Sequence, residues 1–304
     1  MSDLKITQDA DGTFLLQKQG DAFRLALFTD LHIDMFDRVG AALTRRQLRA
    51  HVRNLKPDLV ALLGDSALNP YNKGRTRRMV KLLDQLGVPW TAVLGNHEGD
   101  HALAVPRDQV IGYYKASRHF YGNDALPGVS GWGNQCFRVE LSGKPVQLLC
   151  FLDSGGGRCN DGIQPDQLDF FTRAASPPLP AMLFFHVPPP QYQTALAAVE
   201  TGQAKLVRGK RREPICTGGS EAQGEALIAA AKAGGAWAMV CGHDHSNDFD
   251  ILYDGLHYVY AQSGGFSFKC YDKRSIGVRG CTNVVIQKDG EATLEQHHNR
   301  LRWG

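Results

Sequence analysis

The sequence has no uninterrupted apolar stretch approaching the roughly 18 residues that a membrane-spanning helix needs, so no membrane association is expected. Its opening residues, MSDLKITQDADGTF, carry neither the basic start nor the apolar segment of a secretory signal, and the expected address is the cytoplasm. Cysteine is scattered: Cys136, Cys150, Cys159, Cys216, Cys241, Cys270 and Cys281 are odd in number and include no CxxC pair. That pattern argues against a disulfide framework or a zinc knuckle and predicts small buried side chains instead. Also missing are a repeat of fixed period, a low-complexity tract and a block of like charge, which excludes a solenoid or a charged interaction tail. The run Gly155, Gly156, Gly157 lacks the Lys-Ser/Thr of a P-loop and the full GxGxxG fingerprint, so it reads as a flexible connection.

What is present is an ordinary globular composition. The 304 residues are 43% apolar and 21% charged with a formal net charge of +3, which names no nucleic acid as partner. The Pro/Ser stretch 176–180 is too short for a linker, so residues 1–304 are expected to form one domain.

Five apolar, strand-like runs each end in polar residues. Residues 23–29 (FRLALFT) lead into Asp30 and His32, residues 59–63 (LVALL) into Gly64-Asp65, and residues 90–94 (WTAVL) into Gly95-Asn96-His97. Residues 181–185 (AMLFF) lead into His186, and residues 236–241 (AWAMVC) into Gly242-His243 and His245. Continuous apolar strands are expected when both sheet faces are covered, and open α/β sheets bind ligands beyond the carboxyl ends of their strands. Five strand ends are thus expected to converge on one site. Helices are predicted over residues 44–55, 77–86 and 224–232, the latter two closed by Gly87 and Gly234. A hairpin over residues 136–141 and 146–153, and β-rich runs at 256–260 and 282–286, predict mixed sheets rather than a purely parallel one. The connections 100–134, 153–164 and 201–220 are expected to carry specificity.

Asp30, His32, Asp65, Asn96, His186, His243 and His245 supply two carboxylates, one amide and four imidazoles. That donor mixture suits Mn, Zn or Fe better than Mg or Ca. Seven donors exceed the needs of one ion, whereas two ions sharing a carboxylate and a water would use them all. Two cations lower the pKa of a bridging water to give a hydroxide nucleophile and neutralise phosphoryl oxygens during in-line displacement. A nearby histidine outside the donor set can protonate the leaving group.

The blocks Asp30-Leu31-His32, Gly64-Asp65, Gly95-Asn96-His97-Glu98, His186 and Gly242-His243-Asp244-His245 resemble, in order, the pattern of the calcineurin-like metallophosphoesterases. The resemblance implies an α/β fold of two packed mixed β-sheets flanked by helices, a four-layer sandwich. It implies that Asp30, His32, Asp65 and His245 hold one metal, that Asp65, Asn96, His186 and His243 hold the other, and that His97 is the catalytic acid. The metals would be two divalent or mixed-valence ions, and the substrate a small phosphorylated molecule. The stretches at residues 152–157 (LDSGGG), 163–171 (IQPDQLDFF), 184–190 (FFHVPPP) and 242–249 (GHDHSNDF) are similar to the short purple-acid-phosphatase-like branch of plants and fungi. Leu68 stands where true purple acid phosphatases carry a tyrosinate ligand, so the purple colour and an obligatory ferric ion do not follow.

Other residues carry weaker readings. Glu98 and Asp244 are candidates for orienting ligand histidines or for capping turns. His101, His119 and His257 belong to no motif, and His297 and His298 are expected in solvent. The cluster Arg208, Lys210, Arg211 and Arg212 has no interleaved aromatics for base stacking and is expected to be a solvated loop. Arg158 is a candidate phosphate clamp. Rival functions are a phosphodiesterase of the cyclic-nucleotide or glycerophosphodiester type, a metal-retaining non-catalytic binding protein, and a nuclease, the last disfavoured by the charge balance.

Overall fold

Strands buried on both faces set the frame of the molecule, seen in a computed structural model that describes residues 4–34, 36–67, 72–99, 102–156, 161–267 and 279–299. The elements run β1 (Leu4–Gln8), β2 (Phe14–Lys18), β3 (Ala22–Phe28), α1 (Arg38–Leu55), β4 (Leu59–Leu63), α2 (Lys73–Leu86), β5 (Trp90–Val93) and α3 (Arg107–Lys115). They continue with β6 (Gln135–Leu141), β7 (Lys144–Phe151), α4 (Pro165–Ala174), β8 (Ala181–Phe184), α5 (Gln191–Glu200), β9 (Lys205–Arg208) and α6 (Glu221–Ala233). The last are β10 (Ala236–Cys241), β11 (Asp250–Tyr253), β12 (Leu256–Tyr260), β13 (Gly280–Gln287) and β14 (Ala292–His298).

One sheet has the order β1-β2-β6-β7-β8-β10-β12-β11-β9 and the other β14-β13-β3-β4-β5. Both are mixed: β3, β4 and β5 pair in parallel while β13 and β14 are antiparallel, and β7, β8, β10 and β12 are parallel within a sheet that also holds the β6–β7 hairpin. Alternation along β4 explains the layering. Leu59, Ala61 and Leu63 pack with Phe184 and Val240 between the sheets, while Val60 and Leu62 pack outward against Leu48, Met79 and Leu83 of α1 and α2. Phe171, Tyr192, Leu227 and Ala231 of α4, α5 and α6 cover the far face of the larger sheet. Helices, sheet, sheet and helices give the expected four layers, and among the described residues no helix is long and apolar enough to cross a membrane.

Helix α1 begins six residues before the stretch expected from sequence, because Asp37 Oδ1 accepts the Gly40 amide at 2.7 Å and caps the first turn. One expectation is overturned. Cys136 and Cys150 stand opposite each other on β6 and β7 and form a disulfide, with Cα atoms 4.1 Å apart; hairpin register, which sequence spacing does not reveal, brings them together. Cys241 and Cys281 are buried as expected, Cys216 is exposed, and Cys159 and Cys270 lie outside the described residues.

Phe184 is fully buried between the sheets and stacks on Phe151 with ring centroids 4.5 Å apart. Phe184→Ala is expected to lower unfolding free energy by about 3–5 kcal/mol in urea titrations, the range for emptying an aromatic core position.

Candidate metal centre

Each expected donor lies just beyond the carboxyl end of a strand. Asp30 and His32 follow β3, Asp65 follows β4, and Asn96 follows β5, all in the smaller sheet; His186 follows β8, and His243 and His245 follow β10 in the larger one. The site therefore forms where the ends of the two sheets meet. His186 Nδ1 donates to the Leu63 carbonyl at 2.7 Å and the His243 amide donates to Asp30 Oδ2 at 3.0 Å, each bond crossing from one sheet to the other. Close approach explains the motif glycines. Gly64 has φ +84° and a Cβ there would stand 2.4 Å from His186 Nδ1, while at Gly95 it would stand 2.1 Å from Asp65 Oδ1. Asp30, His32, Asp65 and His243 themselves adopt left-handed φ values of 52°, 40°, 51° and 77°. Such strain persists only where the surroundings enforce it, and it clusters at functional sites.

The donors form two groups. Ligand atoms of Asp30, His32 and His245 lie within 4.8 Å of one another, and so do those of Asp65, His186 and His243. Asn96 Oδ1 is 3.2 Å from His186 Nε2 and joins the second. Asp65 Oδ2 is 3.3 Å from His186 Nε2 and 3.5 Å from His32 Nε2, so one oxygen faces both groups. Asp30 Oδ1 and His243 Nδ1 are buried without a hydrogen-bond partner. His32 and His245 bring their Nε2 atoms to 2.9 Å, near the spacing of adjacent ligands that each stand about 2.0–2.1 Å from a cation. The bond from His186 Nδ1 to Leu63 turns its Nε2 lone pair inward when the ring is neutral. The donor set thus fits two cations.

Electrostatics agree. Burial opposes ionisation of Asp30, but its contact with His32 and the nearby His186 and His245 hold it well below the usual carboxylate range; Asp65 is likewise lowered, against burial, chiefly by His186. Burial also opposes a charge on His186, yet Asp65 raises it to about 9. Burial, reinforced by neighbouring imidazoles, lowers His243 to about 4 and His245 to about 3. Two buried carboxylates thus face two imidazoles, His243 and His245, that burial keeps neutral.

His97 stands apart from both groups. Its amide donates to Asp65 Oδ1 at 2.9 Å, its Nε2 is 3.9 Å from Asp65 Oδ2, and its side chain is 37% exposed at the mouth of the site. Glu98 orients no histidine. Its buried carboxylate accepts the amides of Asp65 (2.8 Å), Ser66 (2.6 Å), Ala67 (3.4 Å) and Gly95 (2.7 Å), tying the end of β4 to the end of β5. Asp244 turns away from the donors to accept the Tyr260 hydroxyl and the Cys216 amide, and burial pushes it up to about 7.

No motif marks Arg107, which donates to the Gly95 carbonyl at 2.6 Å and pairs with Asp153, joining the loop beyond β5 to the loop beyond β7. Nor does any mark Asn134, whose Oδ1 accepts the Asp153 amide at 2.9 Å and Gln167 Nε2 at 2.7 Å. In the basic cluster Lys210 and Arg211 are exposed as expected, whereas Arg208 pairs with Asp250 and Arg212 with Asp248, which consumes their charge. His257 binds the same Asp250, His297 is half-buried beside Glu295, and His119 accepts from Arg118. His298 is exposed as expected, and Leu68, His101 and Arg158 lie outside the described residues.

Glu98→Gln would aim a side-chain NH2 at backbone amides. A stability loss of about 3 kcal/mol, from buried donors left facing a donor, and retention of less metal after dialysis are expected; calorimetric melting and elemental analysis check both.

The family profile of the calcineurin-like phosphoesterases matches residues 23–247. Among curated relatives, "Probable inactive purple acid phosphatase 28" of Arabidopsis thaliana is 27% identical, covering 86% of this chain and 72% of the relative. "Probable inactive purple acid phosphatase 29" of the same plant is 25% identical, covering 72% of this chain and 61% of the relative. "Phosphatase DCR2" of Saccharomyces cerevisiae is 23% identical over 76% of this chain and 45% of its own length. Two solved structures share the fold. A dimetal phosphatase from Danio rerio has a TM-score of 0.58 at 15% identity, covering 90% of this chain and 99% of that one. A purple acid phosphatase from yellow lupin (Lupinus luteus) seeds has a TM-score of 0.52 at 13% identity, covering 96% of this chain and 56% of that one. With its five motif blocks inside the matched span and its donors gathered into two groups around Asp65, the chain belongs to the calcineurin-like phosphoesterase family.

Proposed function

We propose that the protein hydrolyses phosphomonoesters with two metal ions, Asp30, His32, Asp65 and His245 holding one and Asp65, Asn96, His186 and His243 the other. The observation that carries this reading is the single Asp65 oxygen facing both donor groups. When bound, two cations such as Mn, Zn or Fe supply charge neutralisation for the phosphoryl oxygens and lower the pKa of water enough to furnish the nucleophile near neutral pH.

The chain's own residues do the rest. Asp65, shared between the groups, fixes their separation, and Glu98 fixes Asp65 by holding its amide. His186 keeps its orientation through Leu63. His97, outside both groups and open to solvent, reaches the substrate and gives a proton to the leaving oxygen, which would otherwise depart as a strongly basic alkoxide. His243 and His245, kept neutral by burial, present lone pairs rather than protons.

A second reading has one observation in its favour: the Arabidopsis relatives carry "probable inactive" in their names. On that reading the protein binds metals and a phosphorylated partner without turnover. Retention of both donor groups and of His97 favours the enzyme, since a binding protein needs no unligated acid there.

The test is turnover by the metal-loaded protein. Hydrolysis of p-nitrophenyl phosphate is expected to exceed that of bis-p-nitrophenyl phosphate by at least about tenfold in kcat/KM, whereas the reverse order would make it a diesterase. Metal retention without turnover on either compound would favour the binding protein. His97→Ala is expected to keep its metal content and lose about 10²- to 10⁴-fold in kcat; undiminished kcat would remove His97 from the chemistry.

A further inference from the structure

A cavity of about 400 Å³ is lined by Asp34, two residues along the chain from the candidate donor His32, and by Arg38, Ala41, Arg45 and Arg78. Its place follows from the fold. Its lining starts at Asp34, on the loop that leaves β3 with His32, and continues along α1 and α2, the helices that follow β3 and β4. Arg38, Ala41 and Arg45 are spaced by three and four residues and share one face of α1, with Ala41 as a small floor between two guanidinium groups. Arg78 comes from the neighbouring helix α2.

The charge balance is unusual for a surface of this kind. Among the described residues neither Arg38, Arg45 nor Arg78 has an ion pair or a hydrogen-bond partner, although arginines elsewhere on the molecule find Asp153, Asp248 and Asp250. Among the described residues the only carboxylate lining the cavity is Asp34, which is 4% exposed and acts on the buried Arg75. Three unneutralised guanidinium groups around one concavity are a receptor for a dianion, because planar N–H forks match phosphate oxygens. The volume is ample for one phosphate and a short connecting chain.

We propose that this cavity is a second phosphate subsite, so that the substrate is a bisphosphorylated small molecule whose scissile phosphate sits at the metals while its other phosphate is held by Arg38, Arg45 and Arg78. The proposal rests on the phosphoesterase reading for its link to turnover, but not for the binding itself.

Two measurements separate these. First, KM values of the metal-loaded protein are compared for alkanediol bisphosphates, from propanediol to octanediol, and for the matching alkyl monophosphates. The best bisphosphate is expected to show a KM at least about tenfold lower, and Arg45→Ala/Arg78→Ala to bring the ratio close to one, while Arg53→Ala, further along α1, leaves it unaltered. Equal KM values along the whole series, or a ratio that survives in the double variant, would overturn the proposal. Second, equilibrium titration of the same protein with inorganic phosphate is expected to find one bound phosphate that disappears in the double variant, over and above any held by the metals. Loss of that phosphate in a protein without turnover would sink the phosphoesterase reading and keep the subsite; identical phosphate stoichiometry in both proteins would sink the subsite whatever the turnover.

Discussion

The Asp65 carboxylate is almost completely buried, and one of its oxygens faces His32 from its own sheet and His186 from the other. A carboxylate taken out of water without a compensating cation is costly. Here the compensation is divided between sheets, so the charge draws two strand ends together instead of merely occupying a loop. The backbone accommodates this through left-handed conformations at four donors and through glycines that leave room for Asp65 and His186. Glu98, itself buried, spends both carboxylate oxygens on the amides that surround Asp65. Strain, burial and charge are therefore concentrated in one place, and the layered core of leucine, valine and phenylalanine is what makes that place rigid.

Much of this was legible in the sequence because the signals were local. The run LVALL became β4 with its expected ends, since burial on both faces requires a continuous apolar stretch and Gly64 ends it. The seven candidate donors, which the structure gathers into two groups, could be picked out because each lies shortly after such a run. Elements that depend on tertiary context could not. Strands β1 and β2 are short and partly polar, β1 alternating over only Leu4 to Thr7, and β9 is an exposed edge strand, so the signal in each is too brief to mark a strand. The first turn of α1 has weak helix formers such as Gly40 and relies on the Asp37 cap, which a reading of apolar periodicity overlooks.

The same distinction holds at the site. Glu98 sits inside a motif, yet whether it orients a ring or holds amides depends on the path of the β4 loop, thirty-odd residues earlier in the chain. Arg107 and Asp153 are 46 residues apart and belong to no pattern, and only the meeting of two loops makes them partners. Cys136 and Cys150 were judged by count and spacing, while their pairing is a property of hairpin register. Local chemistry follows from short stretches of sequence; the partners that hold it in place come from the topology.

The central claim is that two cations share Asp65. The most direct measurement is electron paramagnetic resonance of the protein loaded with manganous ion to its binding limit. Two ions per chain with an exchange-coupled spectrum are expected, because a shared carboxylate holds them about 3.5 to 4 Å apart. A spectrum of isolated, magnetically independent manganese at every loading would contradict the shared site.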